Sequence, residues 1–253
     1  MPYTDLIKQE GEYNYSANIQ FDIENDHKLG RFIPNETTVG LIREYFVDIS
    51  REKPNCHSRI LYGSYGTGKS HFLTVLSLLL SKNHTDGDGY RRFVSRINDL
   101  DQNLASDIEM FINNDERKPF LVVPVVFDFE DFDRCLYFSL KKKLDSIGKK
   151  ISFKTFYDQA SALIVQWKQN EESLKKLQCA CKNAKVSIDE LEKKLDQLEK
   201  GAEELFQIVF SEMTFGVKYI YEVSNILDSI SQANEALKNE YTGIVFIFDE
   251  FGR

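Results

Sequence analysis

Apolar and polar positions alternate along this chain with two different periods. Residues 59–62 form a short apolar run that stops at Gly63, as a buried strand does, and residues 69–80 then carry the composition of a buried helix. Residues 120–129 (FLVVPVVFDF) are β-branched and apolar and predict a second buried strand, with Pro124 marking an edge position or one missing ladder bond. Residues 131–147 return to helical spacing, and 244–248 form a third apolar strand, preceded by Gly243 and closed by Asp249 and Glu250. This strand–helix–strand–helix order implies βαβ units around a parallel sheet.

The flanking regions read differently. Residues 1–30 are polar, with Ile19, Phe21 and Ile23 alternating as in a short strand, and residues 1–37 stand as an N-terminal extension. Residues 38–49 have the spacing of an amphipathic helix, and 81–90 (SKNHTDGDGY) are rich in turn formers. From Ala160 to Val209 apolar residues recur in steps of three and four, through Trp167, Leu174, Leu177, Cys181, Ile188, Leu191, Leu195, Leu198 and Ala202. That heptad-like stripe defines a coiled-coil-like helical insertion over residues 154–212. Ser187 with Glu190 fits a capping box, which opens two helices meeting near Val186 as an alternative to one continuous rod. Packing on the parent domain and an intermolecular coiled coil are both open at this point. Phe215-Gly216 reads as a break, and 217–237 as a further helix.

Composition narrows the partners. A chain of 253 residues holds one large domain or two small ones, and 42% hydrophobic with 28% charged residues is ordinary for a globular protein. The formal net charge of -8 gives no bulk-charge case for binding nucleic acid or an acidic membrane. Lys141-Lys142-Lys143-Leu144 is too short to change that and reads as a solvated helix face. The first ten residues lack the basic and apolar segments of a signal peptide, and the apolar run at 76–80 is far short of a membrane span. The four cysteines form no C-x-x-C pair, which fits reduced structural thiols in a cytoplasmic protein.

The chemistry concentrates in one stretch. Gly63-Ser64-Tyr65-Gly66-Thr67-Gly68-Lys69-Ser70 satisfies G-x-x-x-x-G-K-[ST], between a predicted strand and a predicted helix. A triphosphate needs several backbone N–H groups turned on it together, and only a loop with little Cβ bulk lets them converge. The N-terminus of the following helix adds its dipole. Lys69 then reaches the β- and γ-phosphates, and the Ser70 hydroxyl coordinates Mg²⁺. His71 either approaches the nucleotide or packs on its helix. At the other end of the chain, Asp249 closes an apolar strand where ligands meet parallel sheets and is expected to hold Mg²⁺ through water, while Glu250 is placed to polarise the attacking water.

The pair GSYGTGKS and IVFIFDE resembles the Walker A and Walker B motifs of the additional-strand P-loop ATPases, the group that contains the AAA+ enzymes. RFIPNETTVGLI, VPVVFDFEDFDRCLYFSLKKKL and DEFGR resemble, more narrowly, the N-terminal ATPase region of large bacterial anti-phage defence proteins such as the P-loop ATPase of BREX-type systems. The resemblance implies a three-layer α/β/α parallel-sheet core, ATP and Mg²⁺ as ligands, and hydrolysis coupled to conformational change in partner domains or DNA. It also places residues 31–34 beside the adenine or ribose, against the simpler reading of a packing turn, and makes Arg253 a candidate arginine finger, against an ordinary surface arginine. Three predicted strands are too few for such a sheet, so residues 1–253 are expected to be the N-terminal part of an ATPase domain, or a split or truncated product, poorly active alone. The remaining strands, the sensor and the finger would come from other domains or subunits. A slowly hydrolysing ATP-dependent switch and a helical assembly scaffold with structural nucleotide are the competing functions. The absence of an N-K-x-D motif disfavours GTP.

Overall fold

The computed structural model describes Ile19 and residues 27–64, 66–83, 87–127, 131–151, 153, 155–199, 201–220 and 225–249. The chain divides into two units, Met1–Pro124 with Glu240–Arg253, and Val125–Asn239.

In the first unit α1 (His27–Arg31) and α2 (Glu36–Ile42) lead into a π-helical turn, Arg43–Val47. Asn35 starts α2 by a reciprocal cap: its Oδ1 accepts from the Thr38 N–H at 2.9 Å, and Thr38 Oγ1 accepts from the Asn35 N–H at 2.8 Å. Next comes α3 (Lys69–Leu80), whose Val75, Leu78, Leu79 and Leu80 are fully buried. Helices buried all round must satisfy their own polar side chains, and here Thr74 and Ser77 donate back to the carbonyls of Ser70 (2.9 Å) and Leu73 (2.6 Å). α4 (Asp88–Leu100) is amphipathic, burying Tyr90, Phe93, Val94 and Ile97 at the spacing of one helical face. α5 (Gln102–Asn113) is capped by Asp101, whose carboxylate accepts from the Leu104 N–H at 3.1 Å and from Arg43 Nε at 2.9 Å. The Arg43 guanidinium is the main influence holding the Asp101 carboxyl below its ordinary range.

Two contacts lock these helices. α1 meets α4 so closely that a Cβ on Gly30 would lie 2.8 Å from the Gly89 Cα, and Arg96 of α4 donates to the carbonyls of Gly30 and Phe32 at 2.8 Å each. Beyond the C-terminal end of α3, Lys82 (φ 52°) aims its ammonium at the carbonyls of Asn114 (2.9 Å) and Arg117 (2.6 Å), over the ring of Phe111 at 5.0 Å. The unit is completed by β1 (Leu121–Pro124) and β2 (Ile244–Ile247), parallel and in register from Leu121 opposite Ile244 to Pro124 opposite Ile247. β1 ends at Pro124, which has no N–H with which to extend a ladder.

The second unit is helical: α6 (Phe132–Ser146), α7 (Phe156–Lys168), α8 (Glu171–Asn183), α9 (Ile188–Asp196), α10 (Ala202–Met213) and α11 (Ile226–Leu237). Side-chain oxygens of Asp131, Thr155, Asn170, Ser187 and Asn225 cap five of them. The apolar stripe from Ala160 to Val209 is divided among α7 to α10, and the α8–α9 and α9–α10 turns use left-handed backbone at Lys185 and at Leu198 and Gly201. Its members Ala160, Leu177, Cys181, Leu191, Leu195, Leu198, Ala202 and Val209 are buried within this unit, beside an aromatic cluster of Phe156, Trp167, Phe206, Phe210 and Tyr219. The Tyr137 hydroxyl donates to Asp158 at 2.9 Å, and burial followed by the Asp158 charge raises its pKa.

This architecture corrects the expected one. Of the described residues 62% are helical and 4% lie in strands, and the one sheet among them has two strands, so the chain does not form a three-layer α/β/α P-loop core. Residues 59–62, expected as a strand, take no regular structure: a strand exists only against a hydrogen-bonded neighbour, and β1 and β2 pair with each other. Ile60 is accordingly 84% and Tyr62 90% exposed. The strand expected at 120–129 shortens to Leu121–Pro124, and the helix expected at 217–237 starts at Ile226. α4 and α5 are additions to the expected plan.

The α1–α4 approach predicts that Gly30→Ala costs about 1–3 kcal/mol, because backbone rather than a movable side chain occupies the space of the new methyl. Lys82→Met, which removes the ammonium that ties the exposed Asn114 and Arg117 carbonyls beyond α5 to the end of α3, is expected to cost about 0.5–1.5 kcal/mol. Denaturant titration of the variants reads both, and midpoints equal to that of the wild type would refute these packing assignments.

Candidate functional site

The glycine-rich stretch forms an exposed loop between residues 59–62 and α3. Gly66 (φ 79°) and Gly68 (φ 83°) both hold left-handed backbone, and Gly68 is the residue from which α3 starts. A Cβ at either position would meet open space, so the backbone angle rather than crowding demands glycine there. Gly63 has ordinary backbone, and the space beside it is bounded by Thr67 Oγ1, 3.5 Å from an added Cβ. Thr67 donates its hydroxyl to the Ser64 carbonyl at 2.9 Å, which curls the loop on itself.

Lys69 is the first residue of α3, and its ammonium turns back to donate to the carbonyls of Gly63 (2.8 Å) and Ser64 (2.7 Å). The charge is therefore held by two peptide oxygens at the start of the loop. Ser70 donates its hydroxyl to Asp249 Oδ1 at 3.0 Å. These two residues are 179 positions apart in sequence and meet because β2 delivers Asp249 to the N-terminal end of α3. The expected partners Gly63, Ser64, Thr67, Lys69, Ser70 and Asp249 thus fall into one constellation. Tyr65, Glu250 and Arg253 lie outside the described residues.

The donor set fits a magnesium ion. A hydroxyl and a carboxylate, both oxygen ligands, sit within hydrogen-bonding distance beside the glycine-rich loop, and Mg²⁺ is characteristically held by one or two such protein groups together with waters and substrate phosphates. No group of three or more His, Cys, Asp or Glu ligands occurs among the described residues. His71 follows Ser70 and packs its ring edge-on against Phe32, centroids 5.3 Å apart. Phe32 is buried while Ile33 is 78% exposed, so the turn expected beside the nucleoside presents an apolar side chain next to the first turn of α3.

One feature of this region has no sequence signature. Asp48, 7% exposed, accepts hydrogen bonds from the Asn55 N–H (3.0 Å), Asn55 Nδ2 (2.8 Å), the Cys56 N–H (3.2 Å) and the Arg59 guanidinium. The Arg59 guanidinium also lies over the Tyr45 ring at 5.2 Å. Nothing in the spacing of Asp48 and Arg59 announces the pair, since the intervening loop, not a helical period, brings them together.

No described helix is long and apolar enough to cross a membrane. No protein-family model, curated protein or solved structure matches the chain.

The Asp48 carboxyl is held below its ordinary pKa, first by the Asn55 N–H and then by the Cys56 N–H and the Arg59 charge, against an opposing effect of burial. A depressed folded-state value means that this group contributes stability above about pH 4, the unfolded value, and loses it as pH falls through the folded value. The stability gap between wild type and Asp48→Asn is therefore expected to narrow as pH is lowered from 6 to 3 in denaturant titrations. A gap that stays constant over that range would show that the ionised carboxylate is not its source.

Proposed function

We propose that this chain is an ATPase module that binds Mg²⁺-ATP between the 63–70 loop and Asp249. The observation that carries the reading is the 3.0 Å hydrogen bond from Ser70 to Asp249, because it joins the two motifs that a magnesium–triphosphate complex requires. The reading rests on that loop and carboxylate, not on a multi-stranded core.

Each residue then has a defined part. The loop offers backbone N–H groups freed by left-handed Gly66 and Gly68, and the α3 N-terminus adds its dipole toward the phosphates. Lys69 exchanges the Gly63 and Ser64 carbonyls for phosphate oxygens, a gain because an ionic acceptor binds an ammonium more strongly than a peptide oxygen does. Ser70 and Asp249 would hold Mg²⁺, which supplies neutralisation of the charge between the terminal phosphates. Glu250, following Asp249 in sequence, takes the role of general base for the attacking water. The resemblance of residues 31–42, 123–144 and 249–253 to anti-phage defence ATPases supports such a system, or another DNA-associated one, as the setting. Further domains or subunits would then receive the conformational change.

Binding of a fluorescent ATP analogue, with and without Mg²⁺, tests the site. Lys69→Ala is expected to weaken binding at least about tenfold, the loss of one charge-assisted contact. Ser70→Ala is expected to remove most of the Mg²⁺ dependence. Glu250→Gln is expected to bind normally and to lose turnover in an assembly that hydrolyses ATP. Wild-type affinity in Lys69→Ala overturns the site, and full turnover in Glu250→Gln removes Glu250 from the base role.

A further inference from the structure

A phosphate loop must be held at its leading end as well as by the helix that follows it. Residues 59–62, which lead into Gly63, have no ladder partner among the described residues, and Ile60 and Tyr62 point into solvent. What fixes them is side-chain chemistry. Leu61 packs partly buried against the hydrophobic core of the unit. Arg59, four positions before Gly63, is anchored twice, by the Asp48 carboxylate and by the face of Tyr45. Tyr45 in turn packs edge-on against Phe72 of α3, ring centroids 5.5 Å apart, so the same anchor touches the helix that carries Lys69 and Ser70. The Asp48 carboxylate is itself fixed by Asn55 and the Cys56 N–H, so it is a rigid support rather than a mobile surface charge.

We infer that Asp48 is a positioning residue for the phosphate loop, acting through Arg59 to set the segment that leads into the loop against α3. Strand pairing normally gives such a segment its position; here a buried carboxylate with four hydrogen bonds takes that part. Neither residue touches the ligand. Their effect is on the geometry of the Gly63 and Ser64 peptides, which are the ones Lys69 grips. This inference rests on the nucleotide reading of the loop.

The test is a double-substitution cycle in nucleotide affinity, using the fluorescent ATP analogue with Mg²⁺ at a temperature where every variant is folded by circular dichroism. Asp48→Asn and Arg59→Gln are each expected to weaken binding about tenfold, and the double variant to be no weaker than the worse single one, since both break one support. Lys82→Met, which destabilises the far end of α3, is expected to lower the denaturation midpoint while leaving affinity unchanged. Tripolyphosphate in competition should lose affinity in step with the ATP analogue, because the support acts on the phosphate end. Unchanged affinity in Asp48→Asn overturns the inference, as do strictly multiplicative losses in the double variant or an equal loss in Lys82→Met. If the wild type binds no nucleotide, or Lys69→Ala binds as well as the wild type, the nucleotide reading itself fails, and that result is distinct from the others.

Discussion

The parallel pairing of Leu121–Pro124 with Ile244–Ile247 is the constraint on which the first unit depends. Residues 125–239 form a separate helical unit between these strands, so four residues on each side must bring the chain back. The Leu121 N–H donates to the Gly243 carbonyl at 2.9 Å, and the Thr242 N–H to the Pro119 carbonyl at 2.8 Å, extending the register past the strand ends. Because the register is set, Asp249 lands beside Ser70. A slip of one residue would reverse which side chains face the core and carry the carboxylate away from the hydroxyl.

Two strands alone are a weak element, and helices carry most of the stability. β1 is buried against a core formed largely by α3, α4 and α5, whose Phe93, Leu104, Ile108 and Leu78 are fully buried. Polar groups that burial would strand are satisfied locally. Thr74 and Ser77 bond within their own helix, Arg96 caps the end of α1, and Lys82 gathers carbonyls from the end of α5. The candidate site follows the same economy: Lys69, Thr67 and Ser70 each have an internal acceptor, in the Gly63 and Ser64 carbonyls and the Asp249 carboxylate.

Much of the candidate site was legible residue by residue. The glycines at 66 and 68 declare left-handed backbone, a lysine and a serine after them declare the charge and the hydroxyl, and an apolar run closed by Asp249 declares a strand end. Less of the fold was. Residues 59–62 have the composition of a strand, but composition measures only fitness for a pleated environment, and whether a partner arrives is decided elsewhere in the chain. α4 and α5 were obscured by the turn formers that precede them, and the helix expected from 217 starts only at Ile226.

What the sequence determined by itself was local: the cap at Ser187, the buried character of α3, the glycine-rich loop of residues 63–70, and the stripe that runs from Ala160 to Val209. These follow from backbone freedom, hydrogen-bonding groups within a few residues, and the period of apolar positions. Only the tertiary structure decided which strands pair, that the stripe is cut into four helices packed within one unit, and that Asp48 holds Arg59. Those outcomes depend on contacts between residues far apart in the chain, whose free energy is shared among many partners and is carried by no single segment.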